Sequence, residues 1–114
     1  MFIAVILALA TPSSSNPWPL AEKAFDEACP KAEQEELITC ADGLMRAADP
    51  RIKRLLCRTK PSSCTRRFAT FRRKRRSAID RTLDSEGSVT SQLEAMWDAL
   101  ETTLRFERAI RLGR

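Results

Sequence analysis

The sequence predicts a small all-α protein, an antiparallel helical hairpin or three-helix arrangement with short extra helices, stabilised by disulfides. Ala, Leu, Arg and Glu, which favour helices, dominate its 114 residues, whereas glycine occurs three times and tyrosine not at all. Four cysteines supply the cross-links. A chain of this length forms about one domain and buries little more than roughly 60% of its unfolded surface, so cross-links add stability that it needs.

The first fifteen residues have the pattern of a secretory signal peptide. Phe2 to Ala10 is an unbroken apolar run, too short to span a bilayer, which needs about 20 residues. Ala8-Leu9-Ala10 is a typical cleavage signal, so we expect cleavage after Ala10 or after Ser15. No Lys or Arg precedes the run, and the structural alternative is a buried N-terminal strand or helix. Residues 16–19 then form a linker and residues 20–114 a single helical domain without a membrane span.

The first two helices follow from proline positions and apolar spacing. Pro19 fits the first turn of a short helix over residues 20–28. The second helix extends to about Ala48, where Asp49 as N-cap and Pro50 at the first helical position predict a new start and a further helix to about Pro61. The apolar positions of this stretch are Leu37, Cys40, Ala41, Leu44, Ala48, Ile52, Leu55 and Leu56.

Ser62 or Ser63 is expected to cap a third helix that ends near Asp84. Its inner face consists of Cys64, Phe68, Phe71, Ala78, Ile79 and Thr82. Arg75 falls in the middle of this face, so it either pairs with an acid or reaches past the edge of the core. We also predict that Arg72, beside Phe71, is structural and pairs with Asp49.

The last helix is predicted to begin at a capping box formed by Ser91 and Glu94, after a turn at residues 85–87. Its apolar face consists of Leu93, Met96, Trp97, Leu100 and Leu104. Gly113 is expected to end it. Phe106 lies off this face, which indicates a second contact surface or a dimer contact, and we expect a monomer or a weak dimer.

The absence of histidine argues against an enzyme. It removes the commonest general base and metal ligand, and it excludes Ser–His and Cys–His catalysis. No acidic pair stands out for a carboxylate mechanism. We therefore expect a binding protein with no catalytic residues, no cofactor and no metal site.

Cys29, Cys40, Cys57 and Cys64 predict two disulfides and a periplasmic or secreted location. Three connectivities are open, and we favour pairing of nearest neighbours because Cys57 and Cys64 flank a turn at Pro61. A Cys29–Cys40 bridge requires the second helix to start near Glu33. Ten residues of helix span roughly 15 Å, whereas bridged Cα atoms lie about 5–6 Å apart.

Charge is distributed unevenly along the chain. Residues 22–49 contain eight acids and three bases, whereas residues 51–81 contain thirteen bases and one acid. The basic part is a candidate site for anionic partners. The candidate anion-binding residues are Arg66, Arg67, Arg72, Arg73, Lys74, Arg75 and Arg76. The alternative is a solvated helix face with internal ion pairs.

Residues 34–41 and 47–52 have the pattern Q-x-E-[ML]-x-x-C-A followed by A-A-D-x-x-[LI], and residues 68–72 are similar to W-x-x-[FY]-R. These patterns resemble those of the LprI-type lysozyme inhibitor domain. Gly87-Ser88 and the helix after it resemble the family's G-S turn and closing helix. The resemblance covers Cys29 to about Arg108. The residues that carry it are Gln34, Glu36, Leu37, Asp49, Phe68, Phe71 and Arg72.

The chain departs from this family at several positions. Phe68 replaces its tryptophan, Leu56 its tyrosine, and Arg76 and Trp97 two of its cysteines, so a Cys57–Cys64 bridge would be a replacement. The resemblance implies an exported, disulfide-bonded helical protein that binds a lysozyme in the cell envelope. Lysozymes are commonly cationic, so the contact would fall on the acidic residues 22–49.

Two further hypotheses stand beside inhibition. The basic residues 66–76 would bind lipopolysaccharide, anionic lipid or nucleic acid without sequence preference. The remaining hypothesis is a purely structural protein of the envelope.

Overall fold

The computed structural model describes residues 16–86 and 89–113, and over these residues the chain forms four helices and no strand. The helices are α1 (Pro19–Ala28), α2 (Gln34–Thr59), α3 (Cys64–Glu86) and α4 (Val89–Arg111). The all-α prediction is therefore confirmed. The predicted signal peptide, the Gly87-Ser88 turn and the side chains of Gln34 and Thr82 lie outside the described residues.

The helices α2, α3 and α4 form an antiparallel bundle, and α4 packs against each of the other three helices. A four-residue turn joins α2 to α3, so these two helices form the predicted hairpin. Ile110 near the end of α4 packs in one cluster with Cys64 at the start of α3, so α4 runs antiparallel to α3. The short helix α1 lies on α4 and α2. The molecule is elongated, 58 × 35 × 28 Å.

The core consists of two apolar clusters that follow one another along the bundle. The first joins α1, α2 and α4, and its buried residues are Ala21, Phe25, Ala41, Met45, Ala99 and Leu100. The second lies towards the α2–α3 turn, and its buried residues are Ala48, Ile52, Leu56, Cys64 and Ile110. Trp18, from the predicted linker, packs on the first cluster with its ring 5.6 Å from that of Trp97.

Helix α2 continues without interruption through Pro50, so the predicted helix end at Ala48 and restart at Asp49 are wrong. Proline has no N–H group, and the carbonyl of Arg46 therefore lacks its usual donor. Packing outweighs this cost, because Ala48 and Ile52 on either side of Pro50 are both fully buried in the second cluster. Pro50 itself is exposed, so its ring does not disturb the packing of the core.

Both ends of α1, the start of α2 and the end of α4 agree with the sequence prediction. Helix α3 extends past its predicted end near Asp84 to Glu86, so Ser85 and Glu86 of the predicted turn are helical. Ser63 directly precedes α3, and its carbonyl accepts a hydrogen bond from Arg67 N. Gly113 follows the end of α4 with a φ of 79°, which glycine adopts without strain. Ser91 is not the N-cap of α4, because the helix begins two residues earlier and Ser91 is buried in it.

Both disulfides join the predicted pairs. The Cα atoms are 6.6 Å apart in Cys29–Cys40 and 4.8 Å apart in Cys57–Cys64. The first bridge required the second helix to start near Glu33. Helix α2 begins at Gln34, so Cys29 folds back beside its second turn.

The packing corrects two predictions about where side chains lie. The ring of Phe106 stacks on that of Phe71, with centroids 4.4 Å apart, so Phe106 makes an intramolecular contact rather than an external one. Ala78 is exposed, although the apolar spacing placed it on the inner face of α3. No helix in the described part of the chain is long and apolar enough to cross a membrane.

Candidate binding surfaces

An ion pair between Asp49 of α2 and Arg75 of α3 lies between the two apolar clusters. Arg75 Nη1 and Nη2 donate to the two carboxylate oxygens of Asp49 at 2.9 and 2.8 Å. Nη1 also donates to Thr103 Oγ1 at 3.2 Å, so one polar network links the three long helices. The side chains of Arg75 and Asp49 are only 12% and 15% exposed. Arg75 therefore stabilises the bundle and is not accessible to an external anion.

Arg72 also meets Asp49, as the sequence predicted, but this contact is peripheral. Its Nε atom lies 3.8 Å from Asp49 Oδ2, and its side chain is 58% exposed. The guanidinium lies 5.7 Å from the ring centroid of the half-buried Phe68. The principal partner of Asp49 is thus Arg75, because Arg75 lies closer to the centre of the buried face of α3.

A second interhelical pair joins Arg51 of α2 to Glu107 of α4. Arg51 Nε and Nη2 donate to the two carboxylate oxygens of Glu107 at 2.8 and 3.1 Å. Arg111 Nη2 adds a bond of 3.0 Å. The hydrogen bond from Arg51 lowers the pKa of Glu107, with Arg111 adding to the effect and burial opposing it. The same bond raises the pKa of Arg51.

A second carboxylate of α4, that of Glu101, fixes the short helix α1. Its Oε1 atom accepts a hydrogen bond from the backbone N–H of Ala21 at 2.8 Å, and Oε2 accepts one from Arg105 at 2.8 Å. The first turn of a helix has N–H groups without a partner in the helix, and Glu101 satisfies one of them. The buried carboxylates of Glu101 and Glu107 therefore hold neighbouring helices together.

The predicted anion-binding residues do not form one patch, because the helical turn distributes them around α3. Arg72, Arg73 and Arg76 line a groove of about 890 Å³ between α2 and α3, where three aspartates also lie. Lys74 lines a pocket between α3 and α4. Arg67 lies at another pocket, formed with the ends of α2 and α4. Six of the seven candidates are exposed, and Arg75 is the exception.

Few bases of the region 51–81 have an acidic partner. Among the described side chains, Arg51, Arg72 and Arg75 pair with carboxylates, and the other ten of its thirteen bases do not. These ten are all exposed. They are Lys53, Arg54, Arg58, Lys60, Arg66, Arg67, Arg73, Lys74, Arg76 and Arg81.

The acidic residues predicted to meet a lysozyme fall into two classes. Asp49 is bonded to Arg75 inside the bundle, and Asp42 pairs with Arg46 at 2.9 Å. The remaining described acids lie on α1 or beside the start of α2, are exposed and form no ion pair within the described residues. They are Glu22, Asp26, Glu27, Glu33 and Glu36. Leu37, also from the LprI-like motif, packs against the first apolar cluster.

Two groups of residues were not predicted from the sequence: the polar residues on the buried face of α4 and the bases at the end of α2. Glu107 follows Leu100 by seven residues, or two helical turns, so it falls on the apolar face of α4. An acid at such a position signals an internal partner. Arg54, Arg58 and Lys60 stand apart from the Arg66–Arg76 run in sequence, and only the hairpin brings them close to it.

No group of three or more Cys, Asp or Glu in the described part of the chain is arranged to hold a metal ion. The chain matches no protein-family model, no curated protein and no solved structure. The resemblance to LprI-type inhibitors therefore stays a prediction.

Proposed function

We propose that the protein is an exported, non-enzymatic helical protein that binds an anionic polymer or surface through the basic region 51–81. The observation that supports this proposal is the set of ten exposed bases without a carboxylate partner among the described residues. A solvated face with internal ion pairs would have acids interspersed among them, but Asp80 is the one acid in this region. Such an uncompensated positive surface attracts polyanions.

Two features support the remaining parts of the proposal. Both disulfides suit the periplasm or an extracellular space, where such bonds persist. The chain contains no histidine, and its buried acids are hydrogen-bonded to partners from neighbouring helices.

The test is the binding of a labelled heparin fragment over a salt series. Displacement of counterions makes the logarithm of the affinity fall linearly with the logarithm of salt concentration, and each contact removed lowers the slope by about one. The R73Q/R76Q variant should therefore bind more weakly with a slope lower by up to about two. K23Q/K31Q loses the same charge outside the basic region and should bind almost like the wild type. Equal losses in both variants would contradict the proposal.

Inhibition of a lysozyme is the second candidate function. It is supported by the exposed acids on α1 and beside the start of α2, which have the sign needed to meet a cationic enzyme. In a lysozyme activity assay, E33K/E36K should abolish inhibition, whereas R73Q/R76Q should inhibit as well as the wild type or better. Absence of inhibition by the wild type would remove this candidate and leave polyanion binding in place. Failure of both assays would leave a structural role in the envelope.

A further inference from the structure

We propose that one end of the bundle, which we call the hairpin end, docks end-on onto an anionic lipid surface. The hairpin end consists of the α2–α3 turn, the helix turns on either side of it and the last turn of α4. The inference rests on the proposed polyanion binding and deepens it, because it names the contact surface and the class of ligand.

The ends of three helices meet at the hairpin end. Lys60 of the turn, Arg67 of α3 and Gly113 after α4 line one pocket there. Five bases of this end are exposed and have no carboxylate partner among the described residues: Arg58, Lys60, Arg66, Arg67 and Arg108. The Cys57–Cys64 bridge ties the end of α2, which carries Arg58, to the start of α3, which carries Arg66 and Arg67. This link reduces the conformational entropy lost on binding.

Within α2, the turn and α3, the hairpin end contains no acid, because residues 51–79 have none. On the α4 side, the exposed Glu27 of α1 lines the same groove as Arg108. Glu107, the acid of α4 nearest to this end, is 6% exposed and bonded to Arg51 and Arg111. The groove beside Arg72, Arg73 and Arg76 is different, because it also contains Asp42, Asp49 and Asp80. The hairpin end is therefore the basic surface with the least internal compensation.

An exposed leucine at the hairpin end favours lipid over nucleic acid. Leu112 is 56% exposed and is the one exposed large hydrophobic side chain of the described residues. It directly follows α4, and its N–H donates to the carbonyl of Arg108. An apolar side chain beside Lys and Arg suits the boundary between lipid headgroups and acyl chains. Proteins that bind single-stranded nucleic acid usually add exposed aromatic rings on which the bases stack, and every aromatic residue from 16 to 113 is buried or half-buried.

Distance separates this end from the other bases of α3. Arg73 and Arg76 lie nine and twelve residues after Cys64, or roughly 14 and 18 Å along the helix. The Debye length is about 10 Å at 0.1 M salt. These bases therefore contribute little to the affinity for a planar anionic surface that touches the hairpin end. A flexible polymer such as heparin can reach both sets of bases. A planar surface and a flexible polymer should therefore respond differently to the same substitutions.

The test compares two variants that each lose two arginines and one lysine, R58Q/K60Q/R67Q at the hairpin end and R73Q/K74Q/R76Q along α3. Binding is measured to vesicles of phosphatidylglycerol and phosphatidylcholine, and to heparin, at about 0.1 M salt. Each base near an anionic membrane contributes about a factor of five, so the first variant should lose roughly a hundredfold in vesicle affinity and the second only a few-fold. Heparin affinity should fall by similar factors in both.

The Leu112→Ser variant should weaken vesicle binding severalfold and leave heparin binding unchanged. Circular dichroism verifies that each variant is folded, which is expected because all the replaced side chains are exposed. Equal losses of vesicle affinity in the two triple variants would overturn end-on docking. If the wild type binds heparin but not vesicles, the lipid assignment is overturned and the proposed function is kept. If the wild type binds neither heparin nor vesicles, the proposed function itself is contradicted.

Discussion

Asp49, Phe68 and Phe71 have structural roles, although they carry the resemblance to an inhibitor family. Asp49 is bonded to Arg75 inside the bundle, and the two phenylalanines pack on the second apolar cluster. Substitutions at these positions should therefore change the free energy of unfolding before they change the recognition of any partner. Residues that recognise a partner are better sought among exposed charges.

The Asp49–Arg75 pair should be more important for stability than the contact of Arg72. Removing one member of a buried pair leaves the other charge buried without a partner, which costs about 3–5 kcal/mol, whereas an exposed pair contributes about 0–1 kcal/mol. We expect Asp49→Ala and Arg75→Ala each to lose about 3 kcal/mol and Arg72→Ala less than about 1 kcal/mol. Urea unfolding followed by circular dichroism gives these values. Equal costs for the two arginines would contradict the assignment.

A double substitution separates the pair from the packing around it. The D49L/R75M variant removes both charges and keeps apolar volume, so it should be more stable than either alanine variant. If the double variant is as unstable as the sum of the single ones, Asp49 and Arg75 act independently.

The sequence predicted that Asp49 has an arginine partner in α3, but not which arginine. Arg72 and Arg75 are three residues apart and share a side of the helix, so spacing alone does not rank them. The depth of each side chain depends on the crossing of α2 and α3, which is a tertiary property. The same limit applies to Phe106, whose contact with Phe71 depends on how far α4 is rotated.

At the scale of elements, α4 is the central helix because it offers apolar and polar groups to every neighbour. Glu101 accepts from α1, Thr103 from α3 and Glu107 from α2. The helical type of each segment followed from apolar spacing, which is strong in long helices, but the number of helices did not. The break at Pro50 was wrong because local proline chemistry costs less than separating Ala48 from Ile52 in the core.

The Arg51–Glu107 contact predicts a dependence of stability on pH. Arg51 and Arg111 hold the pKa of Glu107 below its ordinary value of 4.5. A carboxyl whose pKa is lowered by folding contributes stability above its unfolded pKa, and this contribution is lost as the pH falls through the folded pKa. The wild type should therefore exceed Glu107→Gln in stability at neutral pH, and the difference should shrink below about pH 4.5.

Urea midpoints of the two proteins from about pH 7 to pH 3 measure this difference. Glu36→Gln serves as the control, because Glu36 is exposed and forms no ion pair with a described residue. Its stability relative to the wild type should change less with pH. A difference between the wild type and Glu107→Gln that stays constant down to pH 3 would show that Glu107 gains nothing from its charge.

At the scale of the whole molecule, opposite charges collect at opposite ends of α2. Glu33 and Glu36 lie at its first turn, Arg54 and Arg58 lie in its last turns, and all four are exposed. The helix has 26 residues and is therefore roughly 39 Å long. Each charge also has the sign that the helix dipole favours at its end. An anionic surface would therefore attract the last turns of α2 more strongly than its first turn, which favours an approach with the hairpin end foremost.

The two disulfides stabilise different parts of this molecule and should be separable. Each closes a short loop, with sequence separations of 11 and 7 residues, and the loss of either should cost about 2–4 kcal/mol. Cys29–Cys40 ties α1 to α2. Phe25 of α1 stacks on Trp97 of α4 with ring centroids 4.2 Å apart. The C29A/C40A variant should therefore loosen α1 and shift tryptophan fluorescence to the red under native conditions.

The C57A/C64A variant is the matched comparison. It loosens the α2–α3 turn, which lies in the second cluster, whereas both tryptophans pack on the first. Its native fluorescence should match that of the wild type, although its urea midpoint falls by a similar amount. Its vesicle affinity should fall as well, because Arg58, Lys60 and Arg67 are then no longer held in one place. A red shift in this variant but not in C29A/C40A would reverse the assignment of each bridge to its end of the bundle.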